Sequence, residues 1–345
     1  MQPWFFLASL GWQKHCQASA GVILLLAALC HQAALSKGSV CSIMATTPIQ
    51  RWRSLTQIGF FSLFVLAPPL NIFRYDLRIG NFILFGQNWT LGLDAIQQDP
   101  TASIDAALNV LLYGLLPVML FATGFLWIAW RWGRLYCGWL CPHFSVVEIV
   151  NRLMQQATGK PSIWEKQALP EKQTDGSIQK PNSWYWLPTL IIIMFFSLLW
   201  TISLMTYLIP PFEIYSNLLN AELTRNQTVF LIAATTAFSI EFLVTRHLFC
   251  RYGCAVGLFQ SLMWMANRRA LVISFDRSRA QACKSCNVAC DNSCPMRLQP
   301  RTIKRKMFTC TECGECINAC SQVQGGEQQS LLHWVQGLSL IHISE

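Results

Sequence analysis

The residues most able to do chemistry in this chain are eight cysteines between positions 283 and 320. A basic spacer separates two runs, which read Cys283-x2-Cys286-x3-Cys290-x3-Cys294-Pro295 and Cys310-x2-Cys313-x2-Cys316-x3-Cys320. Three closely spaced thiolates can wrap three irons of a [4Fe–4S] cluster, and a more distant cysteine then takes the last iron. The spacing therefore predicts two [4Fe–4S] sites.

The fourth cysteine of each run is predicted to serve the other site, as it does in two-cluster ferredoxins. The first predicted site is Cys283, Cys286, Cys290 and Cys320, and the second is Cys310, Cys313, Cys316 and Cys294. The second run has the standard spacing, whereas the first has one extra residue between Cys286 and Cys290.

Two other uses of these cysteines were weighed. Zinc usually draws its four ligands as two separated C-x2-C pairs, and this would leave four of the eight thiols idle. Disulfides need an oxidising compartment, and the topology below predicts a reducing one. Iron–sulfur ligation uses all eight residues and is favoured.

The composition predicts a membrane protein with a soluble appendage. Of 345 residues, 53% are hydrophobic and only 12% are charged, which is too apolar for an ordinary soluble domain. The net charge of +9 is modest, and basic residues cluster at the ends of apolar runs. This pattern favours contact with anionic lipid over nucleic-acid binding.

Both ends of the chain differ from the rest. Residues 1–43 are interpreted as upstream translation that is not native, with Met44 as the natural start. Residues 338–345 read like a translated sequencing adapter, and both segments are excluded from the fold prediction.

Four apolar runs are predicted to cross the membrane, at about 55–73, 104–130, 184–209 and 228–249. The 131–183 connection is rich in Lys and Arg, whereas the 74–103 and 210–227 loops are poor in them. Because basic loops lie on the cytoplasmic side, the chain from Met44, the 131–183 loop and everything after Cys250 are predicted to be cytosolic. The predicted location is the bacterial cytoplasmic (inner) membrane, multi-pass.

A repeat lies within this arrangement. Leu135-Tyr136-Cys137-Gly-Trp-Leu-Cys141-Pro142 recurs as Leu248-Phe249-Cys250-Arg-Tyr-Gly-Cys254-Ala255. The predicted fold is a polytopic α-helical membrane protein in two hairpin halves, with a C-terminal α+β dicluster ferredoxin-like domain that a strand at 270–275 leads into. The predicted domains are 44–183, 184–266 and 267–330, followed by a tail at 331–345.

The two C-x3-C pairs are a second candidate site. Cysteines four apart on a helix share one face, so Cys137, Cys141, Cys250 and Cys254 could converge on Cu(I) or on a third cluster, or act as redox dithiols. The alternative is that they are small buried hydrophobes. Duplication with the same flanks favours a function.

Other polar residues have weaker assignments. Glu241 lies inside an apolar run and is a candidate for proton handling near a quinone, or for a structural pair with Arg246 or Arg134. His143 and His247 are interpreted as headgroup-level histidines. The basic spacer, Arg301 and 304–306, could dock an acidic electron donor or face solvent or lipid.

These motifs together resemble the membrane-bound 4Fe–4S polyferredoxins, a family that includes a cytochrome-oxidase assembly protein and a quinol-dehydrogenase subunit. The resemblance covers about residues 51–337 and departs from the family pattern at Ala255, where proline is usual. It implies electron transfer between a quinol or cytosolic donor and a membrane or periplasmic respiratory partner. The oxidase-assembly branch implies copper reduction instead.

An electron carrier or redox subunit is thus expected rather than a stand-alone enzyme. A copper-handling assembly factor and a zinc or redox sensor are the alternatives. No nucleotide fingerprint such as GxGxxG or a P-loop is present in the sequence, so a partner is expected to supply the electrons.

Overall fold

The structure is a computed structural model that describes residues 48–92, 103–171, 180–326 and 329–337. The segments predicted as upstream translation and adapter sequence, 1–43 and 338–345, lie outside the described residues. The described part is mostly helical.

The helices fall in two groups, a membrane-type group before residue 267 and two short helices after it. They are α1 (Pro48–Leu66), α2 (Ser103–Asn109), α3 (Leu116–Trp132), α4 (Leu135–Trp139), α5 (Pro142–Thr158), α6 (Trp186–Leu208), α7 (Pro211–Leu219), α8 (Arg225–Ile240), α9 (Ala255–Ala266), α10 (Ala289–Asn292) and α11 (Glu315–Gln324). Wider π-helical turns occur at Val110–Leu115, Glu241–Thr245 and Phe249–Gly253, and 3₁₀ turns at Ser183–Tyr185, Arg277–Ser285 and Lys304–Met307.

Three helical segments are long and apolar enough to cross a bilayer: Ala107–Trp132, Ser183–Leu208 and Arg225–Thr245. They coincide with three of the four predicted runs. The first predicted run forms α1, which ends at Leu66 before two prolines that cannot continue a helix. This helix is not among the three, so a fourth span remains a prediction.

Small hydroxyl side chains join two of these spans. Thr235 on α8 donates a hydrogen bond to Thr201 on α6 across 3.2 Å. Thr201 in turn donates to the Ser197 carbonyl, 2.9 Å away. Both threonines are buried, and small residues of this kind allow helix backbones in a membrane to approach closely.

A small antiparallel sheet, which the sequence analysis did not predict, follows α1. Its strands are β1 (Phe73–Asp76), β2 (Asn81–Leu84) and β3 (Gln87–Trp89), in that order. β1 pairs with β2 from Phe73↔Leu84 to Asp76↔Asn81.

The cysteine-rich unit is framed by two antiparallel strands, β4 (Leu271–Phe275) and β5 (Leu332–Gln336), paired from Leu271↔Gln336 to Phe275↔Leu332. β4 confirms the predicted strand. All eight ferredoxin-type cysteines lie between the two strands in sequence, and α10 and α11 pack on each other within the unit. β5 comes from the stretch that the sequence analysis placed in the tail, so the folded unit extends to residue 336.

Candidate functional site

The first candidate site is a small cavity in the cysteine-rich unit. Four thiols line it, those of Cys283, Cys286, Cys290 and Cys320. Apart from Arg301 and Gln324, the remaining lining is apolar, with Phe275, Ala289, Val323 and Leu332. These four cysteines are the set that the sequence predicts for the first site.

A second small cavity lies in the same unit. Its thiols are those of Cys294, Cys310, Cys313 and Cys316, which are the set predicted for the second site. Met296, Leu298 and Met307 line it and are themselves buried. Burial in this setting raises the pKa of the Cys310 and Cys316 thiols well above the ordinary value.

The second motif contributes to both cavities because of the helical spacing of its last two cysteines. Cys316 lines the second cavity and Cys320 the first, one helical turn apart on α11. Strand β4 spans both cavities in the same way, with Ile273 on the second and Phe275 on the first. Alternate residues of a strand share a face and are about 7 Å apart. The two cavities are therefore neighbours.

The donor set of each cavity fits a [4Fe–4S] cluster. Four sulfurs surround a largely apolar space, which is the ligation that such clusters need. Backbone N–H groups also point at the sulfurs: Leu298 donates to Cys294 Sγ across 3.4 Å and Leu331 to Cys320 Sγ across 3.3 Å. Such hydrogen bonds stabilise thiolate sulfur and help to set cluster potentials.

The extra residue of the first motif is absorbed by backbone geometry. Asn287 and Val288, between Cys286 and Cys290, both have positive φ, at 47° and 58°. Asparagine tolerates this conformation, but for a β-branched valine it is an outlier. The loop bulges outward, with both residues exposed, while Cys290 stays in the cavity wall.

The C-x3-C pairs do not lie on continuous helices, contrary to the sequence expectation. Cys137 lies in α4, whereas Cys141 is an extended residue, with ψ of 116°, that immediately precedes α5. Pro142 opens α5, and the residue before a proline is driven out of the helical region. The second copy repeats the geometry, since Cys254 precedes α9 with ψ of 110°.

Polar contacts nevertheless bring the two pairs together. The Arg134 side chain is buried and donates to the Gly257 carbonyl at 2.7 Å and the Cys250 carbonyl at 3.1 Å. From the second half, Gln260 donates to Cys137 Sγ at 3.5 Å. Burial raises the pKa of Cys137 to about 12, and the neighbouring thiols Cys141 and Cys254 add to this effect. The two copies of the repeat therefore contact each other near these cysteines.

The first pair also contacts the second cavity. Trp139 donates its indole N–H to the Glu312 carbonyl at 3.1 Å, and a Cβ on Gly138 would overlap the Thr311 carbonyl oxygen. Thr311 lines the second cavity. Only glycine at position 138 therefore permits this approach between the repeat and the cysteine-rich unit.

The Glu241 side chain lies beside a histidine, and the Glu241 backbone carbonyl accepts a hydrogen bond from the Arg246 N–H at 2.8 Å. His143 Nε2 lies 3.3 Å from Glu241 Oε1, and both side chains are mostly buried. The imidazole stacks on Phe242 with ring centroids 5.1 Å apart. Glu241 begins a π-helical turn, a feature often found at functional positions.

The remaining candidates are structural in character. Lys304 is buried and donates to the Trp264 and Asn267 carbonyls at 2.8 and 2.7 Å. Arg301 lies beside the first cavity and pairs with Asp291 at 3.0 Å. His247 is buried, and burial lowers its pKa to about 4. The basic spacer is thus only partly on the surface.

Several residues that make contacts at these sites were not identified from the sequence. Arg134 and Gln260 connect the two repeat copies, and Gly138 contacts the second cavity. In the sequence, the only sign of these contacts is that each residue lies near a C-x3-C pair. Glu312 lies between Cys310 and Cys313, is buried, and accepts a hydrogen bond from Trp334 at 3.1 Å. Burial raises the pKa of Glu312 to about 7.

Within the described ranges, no three His, Cys, Asp or Glu side chains are grouped so as to hold a single metal ion. The cysteines are instead spread around cavities. This geometry suits a multi-iron group better than a single ion.

Comparison with known families shows which proteins this chain is similar to. A family model for a 4Fe–4S binding domain matches twice, at residues 115–161 and 226–273. Each match contains one C-x3-C pair, and both end before Cys283. These matches and the relatives below confirm the resemblance to membrane 4Fe–4S electron-transfer proteins, and three apolar helices fit a membrane protein.

Among curated proteins, the chain is similar to the "Putative electron transport protein YccM" of Escherichia coli, with 22% identity over 59% of this chain and 53% of that protein. It is also similar to the "Uncharacterized protein MJ0750" of Methanocaldococcus jannaschii, with 24% identity over 55% of this chain and 70% of that protein. The chain thus matches about half the length of YccM. No solved structure matches the chain.

Proposed function

We propose that this chain is a membrane-bound iron–sulfur electron-transfer protein that holds two [4Fe–4S] clusters in a C-terminal ferredoxin-like unit. The observation that carries the proposal is the division of the eight cysteines into two neighbouring cavities, four to each. The name of the YccM relative supports the same function. The clusters would take up and release single electrons.

The chain's own residues would bind and tune the clusters. Four thiolates hold each one, while apolar walls keep water out and backbone N–H groups donate to sulfur. Water exclusion and hydrogen bonds to sulfur are the means by which a protein sets cluster potentials. Three of the four cysteines at the first cavity are partly exposed, whereas three of the four at the second are buried. This difference favours electron entry at the first cavity and exit through the second.

The exit route is supported by the contact at Gly138. Thr311 lines the second cavity and touches the first C-x3-C segment, which immediately follows a candidate membrane span. Electrons from the second cavity would therefore reach Cys137, Cys141, Cys250 and Cys254, and from there a membrane or periplasmic respiratory partner. A quinol near Glu241 is the alternative partner at this level.

The four repeat thiols would form a shared soft-metal or redox site. A third cluster between the halves is one form that this site could take, since a cubane needs four ligands and the two pairs together supply four thiols. The contacts of Arg134 and Gln260 with the opposite half support such sharing.

Copper handling is the second candidate function. Sulfur ligands select Cu(I), but the four repeat thiols are not grouped so as to hold a single metal ion in the described residues, so this candidate rests on the sequence pattern. Stoichiometric copper bound by the wild type, and lost in a Cys137→Ser/Cys250→Ser variant, would favour it. A colourless preparation loaded with zinc would favour the sensor hypothesis.

The test of the proposed function is anaerobic purification in detergent, with iron and sulfide analysis and EPR of the reduced protein. We expect about eight irons per chain for two cubanes, or about twelve if the repeat holds a third. An iron-free preparation would refute the proposal. Accessibility labelling of Cys283 in inverted and right-side-out vesicles would test the cytosolic orientation proposed for the unit in the inner membrane.

A further inference from the structure

The surface outside the first cavity combines positive charge with an exposed apolar tip. Arg277, Arg279 and Lys284 are exposed, as is Val288 with 40% of its surface accessible. Residues 277–288 contain no Asp or Glu, although Asp276 directly precedes them and interacts with Arg279. We call these four side chains the entry surface.

The entry surface adjoins the ligands of the first cavity. Lys284 follows Cys283 in sequence, and Val288 lies two residues after Cys286. Arg279 is held in place by a 2.9 Å hydrogen bond to the Gln329 carbonyl. Because Lys284 and Val288 are close in sequence to Cys283 and Cys286, a partner bound to them would lie near that cavity.

The bulge at Val288 gives this surface its apolar centre. A valine at a φ of 58° is costly, and such strain persists where the surroundings enforce it, often at functional sites. The bulge lies where the first motif carries its extra residue. It exposes an apolar side chain in the same short segment as the three cations, and an apolar centre with a charged rim is typical of a small recognition patch.

The position of the entry surface favours a soluble partner over lipid. At the end of α3, Arg131 donates to the Arg269 carbonyl at 2.9 Å and to Gln336 at 2.6 Å. Arg269 and Gln336 lie at the end of the β4–β5 pair where β4 begins. Arg277 lies at the opposite end, just after β4. Five strand residues span about 16 Å, so the entry surface lies at the end of the sheet away from this span.

We propose that the entry surface docks an acidic, soluble, one-electron carrier protein that reduces the chain at the first cavity. This inference rests on the proposed function and names its donor class. The carrier is oxidised by one electron and the chain is reduced by one, with no bond made or broken and no proton required. Complementary charge raises the rate of encounter more than the affinity, which suits a transient donor.

The basic spacer at 304–306 is the natural comparison. Arg305 and Lys306 are exposed cations like those of the entry surface, but they flank Met307 of the second cavity. A charge reversal there changes net charge by the same amount at a different site. It therefore controls for general electrostatic effects.

The experiment is stopped-flow reduction of the full chain in zwitterionic nanodiscs by an acidic plant-type [2Fe–2S] ferredoxin, at several salt concentrations. Steering by complementary charge raises association rates at least about tenfold and is screened by salt. We expect Arg277→Glu/Lys284→Glu to slow the second-order rate about tenfold or more at low salt. Arg305→Glu/Lys306→Glu should change it less than about twofold.

Dithionite, a small reductant, separates this inference from the proposed function. If the variant binds iron and is reduced by dithionite like wild type, a slowed ferredoxin reaction supports the docking surface. Equal ferredoxin rates for wild type and both variants would overturn the inference while leaving the clusters in place. An effect of the reversal that occurs only in anionic nanodiscs would identify lipid contact and also overturn it, whereas absence of iron would refute the proposed function itself.

Discussion

The two cysteine-lined cavities have the same number of thiols, but they differ in their surroundings. At the first, Cys283, Cys286 and Cys320 are partly exposed and Cys290 is buried, whereas at the second, Cys310, Cys313 and Cys316 are buried and Cys294 is partly exposed. The first is bordered by an outward bulge and exposed cations, and the second by the membrane-proximal repeat. The two cysteine motifs thus form one site that lies near solvent and one site that contacts the rest of the chain.

The largest expected difference concerns loss of a ligand. Cys283→Ser should remove one cluster and leave about four irons, because the first site lies near the surface and the fold does not depend on it. Cys316→Ser should leave close to none, since Cys316 lies in the buried core with Phe144 and Trp264 and metal binding there is coupled to folding. Iron analysis of both purified variants measures the difference. Equal residual iron would contradict it.

The buried arginine that joins the repeat copies should give the next largest effect. Arg134→Met removes the hydrogen bonds that the buried guanidinium donates to the Gly257, Cys250 and Thr309 carbonyls, and bonds from a charged donor contribute roughly 1.5–3 kcal/mol each. We expect a loss of several kcal/mol, seen as a lower melting temperature by tryptophan fluorescence in detergent. Arg225→Met, at an exposed site, should leave the melting temperature unchanged.

Gly138→Ala tests the contact between the repeat and the second cavity. The added methyl group meets the Thr311 carbonyl, and overpacking of this kind costs about 1–3 kcal/mol. We expect a lower melting temperature and a changed EPR signal from the second site only. Gly124→Ala is the matched control, because nothing lies within 4 Å of its added Cβ. A similar response of both variants would rule out the contact.

The smallest effect is expected at the bulge. Val288→Gly should stabilise the first site by about 1 kcal/mol, because glycine adopts positive φ without strain. Val256→Gly, in the first turn of α9, should instead destabilise by a similar amount, as glycine does in a helix. The temperature at which heating destroys the first-site EPR signal distinguishes the two variants. A lower temperature for Val288→Gly than for wild type would show that the bulge is unstrained.

The part of this arrangement that depends on local spacing could be predicted from the sequence. The cysteine sets of the two cavities follow from intervals of two to four residues, and the β4 strand and three of the apolar runs follow from composition. The ligation itself stays a prediction.

The contacts between distant segments could not be predicted. The sequence does not indicate that Glu241 lies against His143, or that residues 332–336 return to pair with β4. The C-x3-C pairs were expected on continuous helices, but the turn before Pro142 breaks the helix between the two cysteines. Such features depend on tertiary packing, which residue spacing alone does not report.

The most direct test of two neighbouring clusters is the EPR spectrum of the fully reduced full chain. Because Ile273 and Phe275, about 7 Å apart on one strand, line different cavities, two reduced clusters must interact magnetically. We predict a broadened, spin-coupled spectrum that becomes a single uncoupled signal in Cys283→Ser. A wild-type spectrum with no iron–sulfur signal, or with one uncoupled signal at full reduction, would contradict the account.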